Sequence, residues 1–204
     1  MNKVNPLWLT PIWEVQTNFD DSFNQTLMDE MHSIGVNMAT EAQPKTSLWD
    51  YKTPALGKLK QTILEQVKSK LTNDLEEVSS LNLDFKADMA WVNVKTPGES
   101  IELHGHPDAA FAATYYVKTQ ANCGNLVLRT QKGNEIALLP VTGKLVFFPA
   151  YVLHYIEVNK SNDLRISIST DITTVIDPNA PNALVLKSWC NDMLKIKEYQ
   201  CLNV

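Results

Sequence analysis

Between residues 84 and 173 the chain breaks into short apolar runs separated by turn signals, and no other feature limits its fold as much. The runs fall at 84–95, 99–105, 110–118, 125–130, 134–139, 143–148, 151–158 and 163–173. Turn-forming residues separate them at Pro97-Gly98, Asn122-Cys123-Gly124, Lys132-Gly133-Asn134, Thr142-Gly143 and from Asn159 to Asp163. Eight short strands at this spacing predict a barrel or sandwich of jelly-roll type.

Upstream the period changes. Leu56, Leu59, Ile63, Val67, Leu71, Leu75 and Val78 recur at steps of three and four, so 55–80 is predicted to be a helix whose apolar stripe lies against a sheet. Asp20–Ile34 reads as an earlier helix. Residues 7–15, LWLTPIWEV, read as a strand that Pro11 confines to a sheet edge. The stretch 36–53 contains Pro44, has no periodicity and reads as a loop. Residues 181–198 read as a closing helix. No linker is visible, and 204 residues suit one domain. The expected organisation is α+β: a helical and edge-strand part over 1–83, a β-core over 84–173, and a tail with its helix over 174–204.

Composition narrows the setting. A net charge of −5 and a pI near 5.4 argue against unassisted binding to duplex nucleic acid or an anionic membrane. No apolar run reaches the roughly 18 residues of a membrane span, and the first residues lack the apolar core of a signal peptide. Cys123, Cys190 and Cys201 are odd in number and form no C-x-x-C motif. This disfavours a disulfide framework or a cysteine zinc site and suits a reducing, cytoplasmic location. The edge strand at 7–15 offers a surface through which a homodimer could form.

Three of the four histidines fall in the β-rich half. His104 and His106 stand in Leu103-His-Gly-His-Pro-Asp108, and His154 opens a later strand after Phe147-Phe-Pro149. If the strand runs through the first segment, His104, His106 and Asp108 project to one side, and any adjacent two could grip one metal ion. Strands distant in sequence face each other in a jelly roll, so His154 can supply a third ligand. Imidazoles plus a carboxylate with open positions suit non-haem Fe(II). Eleven residues on, Leu164-Arg-Ile-Ser-Ile-Ser-Thr170 alternates strictly. It places Arg165, Ser167 and Ser169 on the face where an anion could be held by a guanidinium fork and a hydroxyl. Trp91 and Asn93 alternate on the strand before the histidines, and Asn93 is a further candidate to bond a bound co-substrate. Tyr115 and Tyr116 point to opposite sides, so one of them faces the interior; Tyr116 is taken as the candidate. His32, Trp8, Trp13 and Trp49 are expected to serve surface or packing roles.

Taken together, His104-x-His106-Pro107, Tyr115-Tyr-Val117, Gly143-x-Leu-Val-Phe-Phe-Pro149, His154 and Arg165-x-Ser167 resemble the 2-oxoglutarate–Fe(II) oxygenases found in bacteria and phages. Leu7-Trp-Leu-Thr-Pro-Ile12, followed by an acidic helix, is similar to the start of that family, so the resemblance covers about 7–173. It implies a double-stranded β-helix, cupin-like core with N-terminal helices packed on one sheet. It implies Fe(II) as cofactor and 2-oxoglutarate as co-substrate, chelated to the metal through its 1-carboxylate and 2-oxo group. The distal carboxylate would pair with Arg165 and Ser167. No catalytic group beyond the metal centre is implied. The activity would be a dioxygenase, in the form of a hydroxylase oxidising a C–H bond of an unidentified substrate while 2-oxoglutarate becomes succinate and CO2. The usual family pattern is His-x-Asp; this chain offers both His104-x-His106 and His106-x-Asp108, and both pairs stay open. Two other classes stand beside this one: a cupin-like three-histidine metalloenzyme that does not use 2-oxoglutarate, and a non-catalytic jelly-roll binding domain.

Overall fold

A computed structural model describes residues 10–37, 46–74, 83–130 and 133–175. The periodic stripe forms helix α2 (Pro54–Asp74), and Leu56, Leu59, Ile63, Val67 and Leu71 are all buried along it. Pro54 stands in the first turn, where its missing N–H costs nothing. The amides of Ala55 and Leu56 are met instead by the Glu30 carboxylate at 3.0 Å. Glu30 belongs to helix α1 (Asp21–Ser33), which is itself capped by Asp20 accepting from the Phe23 amide at 2.9 Å. One carboxylate thus locks the two helices together. No helix among the described residues is long and apolar enough to cross a membrane.

Nine strands follow from the alternating runs: β1 (Trp13–Gln16), β2 (Asp84–Lys95), β3 (Ile101–His104), β4 (Phe111–Lys118), β5 (Leu126–Arg129), β6 (Glu135–Leu138), β7 (Lys144–Pro149), β8 (Leu153–Ile156) and β9 (Arg165–Val175). They pair antiparallel into a five-stranded sheet, β1-β7-β4-β9-β2, and a four-stranded sheet, β3-β8-β5-β6. All eight runs expected between 84 and 173 are strands, within two residues at most ends. β1 lies at a sheet edge, but it runs later than the expected 7–15 and leaves Pro11 ahead of it; residues 7–9 lie outside the described residues. The closing helix expected at 181–198, together with Cys190, Cys201 and Trp8, lies outside the described residues.

Two apolar layers result. One packs Leu27, Met31, Leu56 and Ile63 of the helices against Val92, Val94, Tyr115, Ile166 and Ile168 on the outer face of the larger sheet. The other, between the sheets, holds Ala112, Tyr116, Leu126, Leu128, Phe148 and Ile156. A β-bulge in β2 between Ala87 and Ala90 decides which residues reach that interior. Before the bulge odd-numbered residues such as Phe85 join the helix-side core; after it even-numbered Ala90, Val92 and Val94 do. The extra residue reverses the alternation and turns Trp91 and Asn93 inward.

The stretch 36–53 is more than the polar loop its sequence suggests. Val36, Ser47 and Leu48 are buried, and Leu48–Asp50 form a 3-10 turn. The Ser47 hydroxyl accepts from the Ala90 amide at 3.0 Å and donates to the Asp88 carbonyl, so this segment pins the bulge. A three-residue turn has no period to read, which is why the pattern conceals it.

Candidate functional site

Strand β9 sets the axis of the site. Its polar face carries Arg165, Ser167, Ser169 and Asp171 in sequence, while Ile166, Ile168 and Ile172 pack toward the helices. In register beside it, β2 brings Lys95 next to Arg165, Asn93 next to Ser167 and Trp91 next to Ser169. On the other side β4 brings Tyr116 next to Ser167, Thr114 next to Ser169 and Ala112 next to Asp171. A cavity of about 360 Å³ runs along this face from the histidines to Arg165.

At one end, β3 stops at His104, which lies directly across from His154 on β8. His106 lies two residues past the end of the strand, its amide donating to the Ala150 carbonyl at 3.1 Å. Gly105 lets the two segments come this close, since a Cβ there would meet Leu153 Cδ2 at 3.3 Å. Each of His104, His106 and His154 brings a potential ligand atom within 4.8 Å of the other two. The strand does not run through to Asp108. Pro107 breaks the ladder, and Asp108 sits exposed in the Pro107–Asp108 turn, outside the cluster.

The ring nitrogens reveal the polarity of this cluster. His104 Nδ1 lies 2.8 Å from the Glu102 carbonyl, and His154 Nδ1 lies 3.0 Å from the Val152 carbonyl. His106 Nδ1 is 3.0 Å from Asp171 Oδ1. The carbonyls favour the proton on Nδ1 of His104 and His154, which leaves Nε2 as their lone-pair nitrogen; the His106 contact to Asp171 is close but not aligned as a hydrogen bond. His106 Nε2 and His154 Nε2 face each other at 3.2 Å. A neutral His106 carrying its proton on Nε2 would donate across that gap to His154; with both rings protonated on Nδ1 the two nitrogens are left to share a cation. A proton is disfavoured there: burial drives His154 down to about 3, opposed by the Val152 carbonyl and reinforced by repulsion from His104 and His106. A metal ion satisfies the same lone pairs, and the set fits one. Trp91 stacks on His106, with centroids 5.5 Å apart, and Phe148 packs edge-on against His154, so both rings are held in place.

At the other end Arg165 is fully buried. Its Nη1 donates to Ser167 Oγ at 3.1 Å, while Nε and Nη2 reach no acceptor. The guanidinium lies 5.1 Å from the centre of the Tyr116 ring, and the buried Tyr116 hydroxyl is also without a partner. Burial pulls Arg165 below its ordinary pKa and pushes Tyr116 up to about 12, with the guanidinium opposing the latter. Buried donors are normally satisfied, so the unused Nε and Nη2 of one guanidinium describe a seat for an anion with two oxygens.

Between the ends, Asn93 Nδ2 donates to Ser169 Oγ at 2.9 Å, and that oxygen lies 3.1 Å from Thr114 Oγ1. Tyr115 faces away, its hydroxyl donating to Asn24 Oδ1 at 2.8 Å beneath α1. His32 is exposed on α1, and Trp49 donates its indole N–H to Thr170 Oγ1, a packing role. The sequence reading passed over Thr114 and Asp171. The signal for Asp171 was present, because the alternation Arg165-Ser167-Ser169 continues to it unbroken.

No family model matches the sequence, and no curated protein matches it. Solved structures do. A prolyl-4-hydroxylase from Pseudomonas putida superposes with a TM-score of 0.58 at 17% identity, over 82% of this chain and 90% of that one. The viral collagen prolyl hydroxylase of Paramecium Bursaria Chlorella virus-1 gives 0.56 at 14%, over 81% and 90%. HygX from Streptomyces hygroscopicus, solved with nickel and 2-oxoglutarate bound, gives 0.56 at 10%, over 80% and 82%. Likeness at such low identity is a likeness of fold, and the chain has the helix-flanked, two-sheet jelly-roll fold of the 2-oxoglutarate oxygenases.

Proposed function

We propose that this protein is an Fe(II)- and 2-oxoglutarate-dependent dioxygenase, acting as a hydroxylase on a C–H bond, with the chain forming one domain around a double-stranded β-helix. The observation that carries this reading is the pairing of two ends in one cavity: three histidines whose ring nitrogens converge as possible metal ligands, and a buried guanidinium with unused donors at Arg165. A molecule with a chelating 2-oxo acid at one end and a carboxylate at the other bridges them.

In this reading His104, His106 and His154 hold the metal, which leaves Asp108 spare. Bound Fe(II) would supply oxygen activation and the oxidative decarboxylation of 2-oxoglutarate to succinate and CO2. The chain's own part is binding and orientation. Arg165 forks onto the distal carboxylate, Ser167 holds Arg165 in place, and the Tyr116 hydroxyl donates to the same carboxylate. Asn93, Ser169 and Thr114 form a polar rung against which the middle of the co-substrate lies. Burial of this end excludes water and strengthens each charge-assisted bond.

A second reading draws on the ligand set. Three imidazoles without a carboxylate also suit a cupin-like metalloenzyme that does not use 2-oxoglutarate. That reading gives the orphaned Arg165 nothing to bind. Turnover separates the two. With Fe(II), ascorbate and oxygen, the protein is expected to release succinate slowly from 2-oxoglutarate even without its prime substrate. Metal uptake with neither succinate formation nor 2-oxoglutarate binding would favour the three-histidine alternative.

A further inference from the structure

An imidazole ligates a metal as a neutral ring, so a divalent ion among His104, His106 and His154 would meet no negative charge from its protein ligands. One carboxylate stands directly behind the cluster. Asp171 Oδ1 lies 3.0 Å from His106 Nδ1, on the side of the ring away from the His106–His154 Nε2 contact. That oxygen is buried and receives no aligned hydrogen bond. A buried carboxylate oxygen left unsatisfied costs free energy, and the protein retains it on the central strand β9, in line with Arg165, Ser167 and Ser169. The His106 ring stands between that oxygen and the cluster.

Resting on the metal reading above, we propose that Asp171 is the positioning residue of this site: it fixes His106 as the Nδ1–H tautomer and supplies, through that ring, the negative charge that the three-histidine set lacks. A carboxylate behind a ligating imidazole makes the ring a stronger donor to the metal and sets its orientation. In this chain the acid has moved one bond network outward, from ligand to the partner of a ligand. Trp91 stacked on the face of His106 limits the ring to the rotation that Asp171 selects.

The test is anaerobic Fe(II) titration of wild-type protein, Asp171→Asn and Asp171→Ala, with the melting temperature of each metal-free protein alongside. Asn keeps an acceptor for Nδ1–H and loses only the charge; Ala loses both. Metal affinity is expected to fall about tenfold in Asp171→Asn and toward a hundredfold in Asp171→Ala. The charge-transfer band of the Fe(II)–2-oxoglutarate complex should also move to higher energy in Asp171→Asn, because a less electron-rich iron gives up its electron less readily. A merely structural role would not move that band. Should Asp171→Ala fail to fold, the near-isosteric Asn variant carries the test. Wild-type affinity and an unmoved band in Asp171→Asn would overturn the inference while leaving the metal reading intact. Loss of iron as complete as in His106→Ala would make Asp171 a ligand and overturn the positioning role. A wild-type protein that takes up no iron would contradict the metal reading itself.

Discussion

At the His104–His106–His154 end of the cavity the protein gathers ring nitrogens that can ligate a cation; at the Arg165–Tyr116 end it presents buried donors that lack an acceptor. The histidines come from the smaller sheet and the turn after β3, Arg165 and Tyr116 from the larger sheet; Arg165 and Tyr116 are fully buried, whereas His104 and His106 are only partly so. The two ends differ in how each is kept rigid. The histidines are fixed by backbone carbonyls, by Asp171 and by aromatic neighbours, so their ring nitrogens converge without help. Arg165 is fixed by one hydroxyl and by Tyr116, and its remaining hydrogen-bonding capacity is unspent. The contrast is the one expected under the proposed function, with a cation held at one end and an anionic group at the other.

The largest expected effect comes from removing the histidine end. His154→Ala and His106→Ala should each abolish stoichiometric iron binding at micromolar metal, measured by metal analysis after anaerobic dialysis. His104→Ala should follow them, and Asp108→Ala should retain the iron. The reverse outcome for His104 and Asp108 would mean that the turn at Pro107 rearranges to bring the carboxylate in.

Next comes the donor end. Arg165→Ala should leave iron bound and weaken 2-oxoglutarate binding by roughly thirtyfold or more, since losing one side of a buried charge pair costs about 2–5 kcal/mol. Arg165→Lys should rescue only part of this, because an ammonium cannot form the fork. The same residue sharpens the comparison from the opposite direction. A buried, unpaired guanidinium is a burden on the ligand-free fold, so Arg165→Met should raise metal-free, co-substrate-free stability by about 1–3 kcal/mol in urea unfolding. A destabilised Arg165→Met would show that Arg165 packs the interior rather than waits for an anion.

The two ends should also respond differently to acid. His154 stays neutral down to about pH 3 when folded, against an ordinary value of 6.5. Below 6.5 the unfolded chain takes up a proton at this position that the folded chain refuses. Stability fully present above 6.5 is therefore lost as pH falls toward 3, with a slope of about 1.4 kcal/mol per pH unit. His154→Gln should flatten that slope in metal-free protein, whereas Arg165→Met should not. The smallest effect belongs to Tyr116→Phe. Losing one hydrogen bond to a charged group costs about 1.5–3 kcal/mol at most, so a roughly tenfold weaker grip on 2-oxoglutarate is expected, with iron unaffected.

Much of this was legible in the residues. Strand positions followed from alternation and turn residues, and β9 displayed its polar face in strict order from Arg165 to Ser169. His154 and His106 stood out because few histidines occur and both fall beside strands. Other features depended on tertiary contacts. Whether His104 or Asp108 joins His106 turns on where β3 ends, and that is decided by Pro107 and by the Ala150 carbonyl holding the His106 amide. The bulge at Ala87–Ala90 reverses the face of β2, and its anchor, Ser47, lies 41 residues upstream of the Asp88 carbonyl it bonds. That Tyr116 rather than Tyr115 turns between the sheets follows from the register of β4 with β9, which no local pattern reports.

The most direct test of the two-ended cavity is anaerobic calorimetric titration of 2-oxoglutarate into the protein with and without Fe(II). Because the co-substrate spans both ends, binding is expected to be tight in the iron-loaded protein and much weaker, yet still dependent on Arg165, in the metal-free one. Equal affinity in both states, or affinity indifferent to Arg165→Ala, would contradict it.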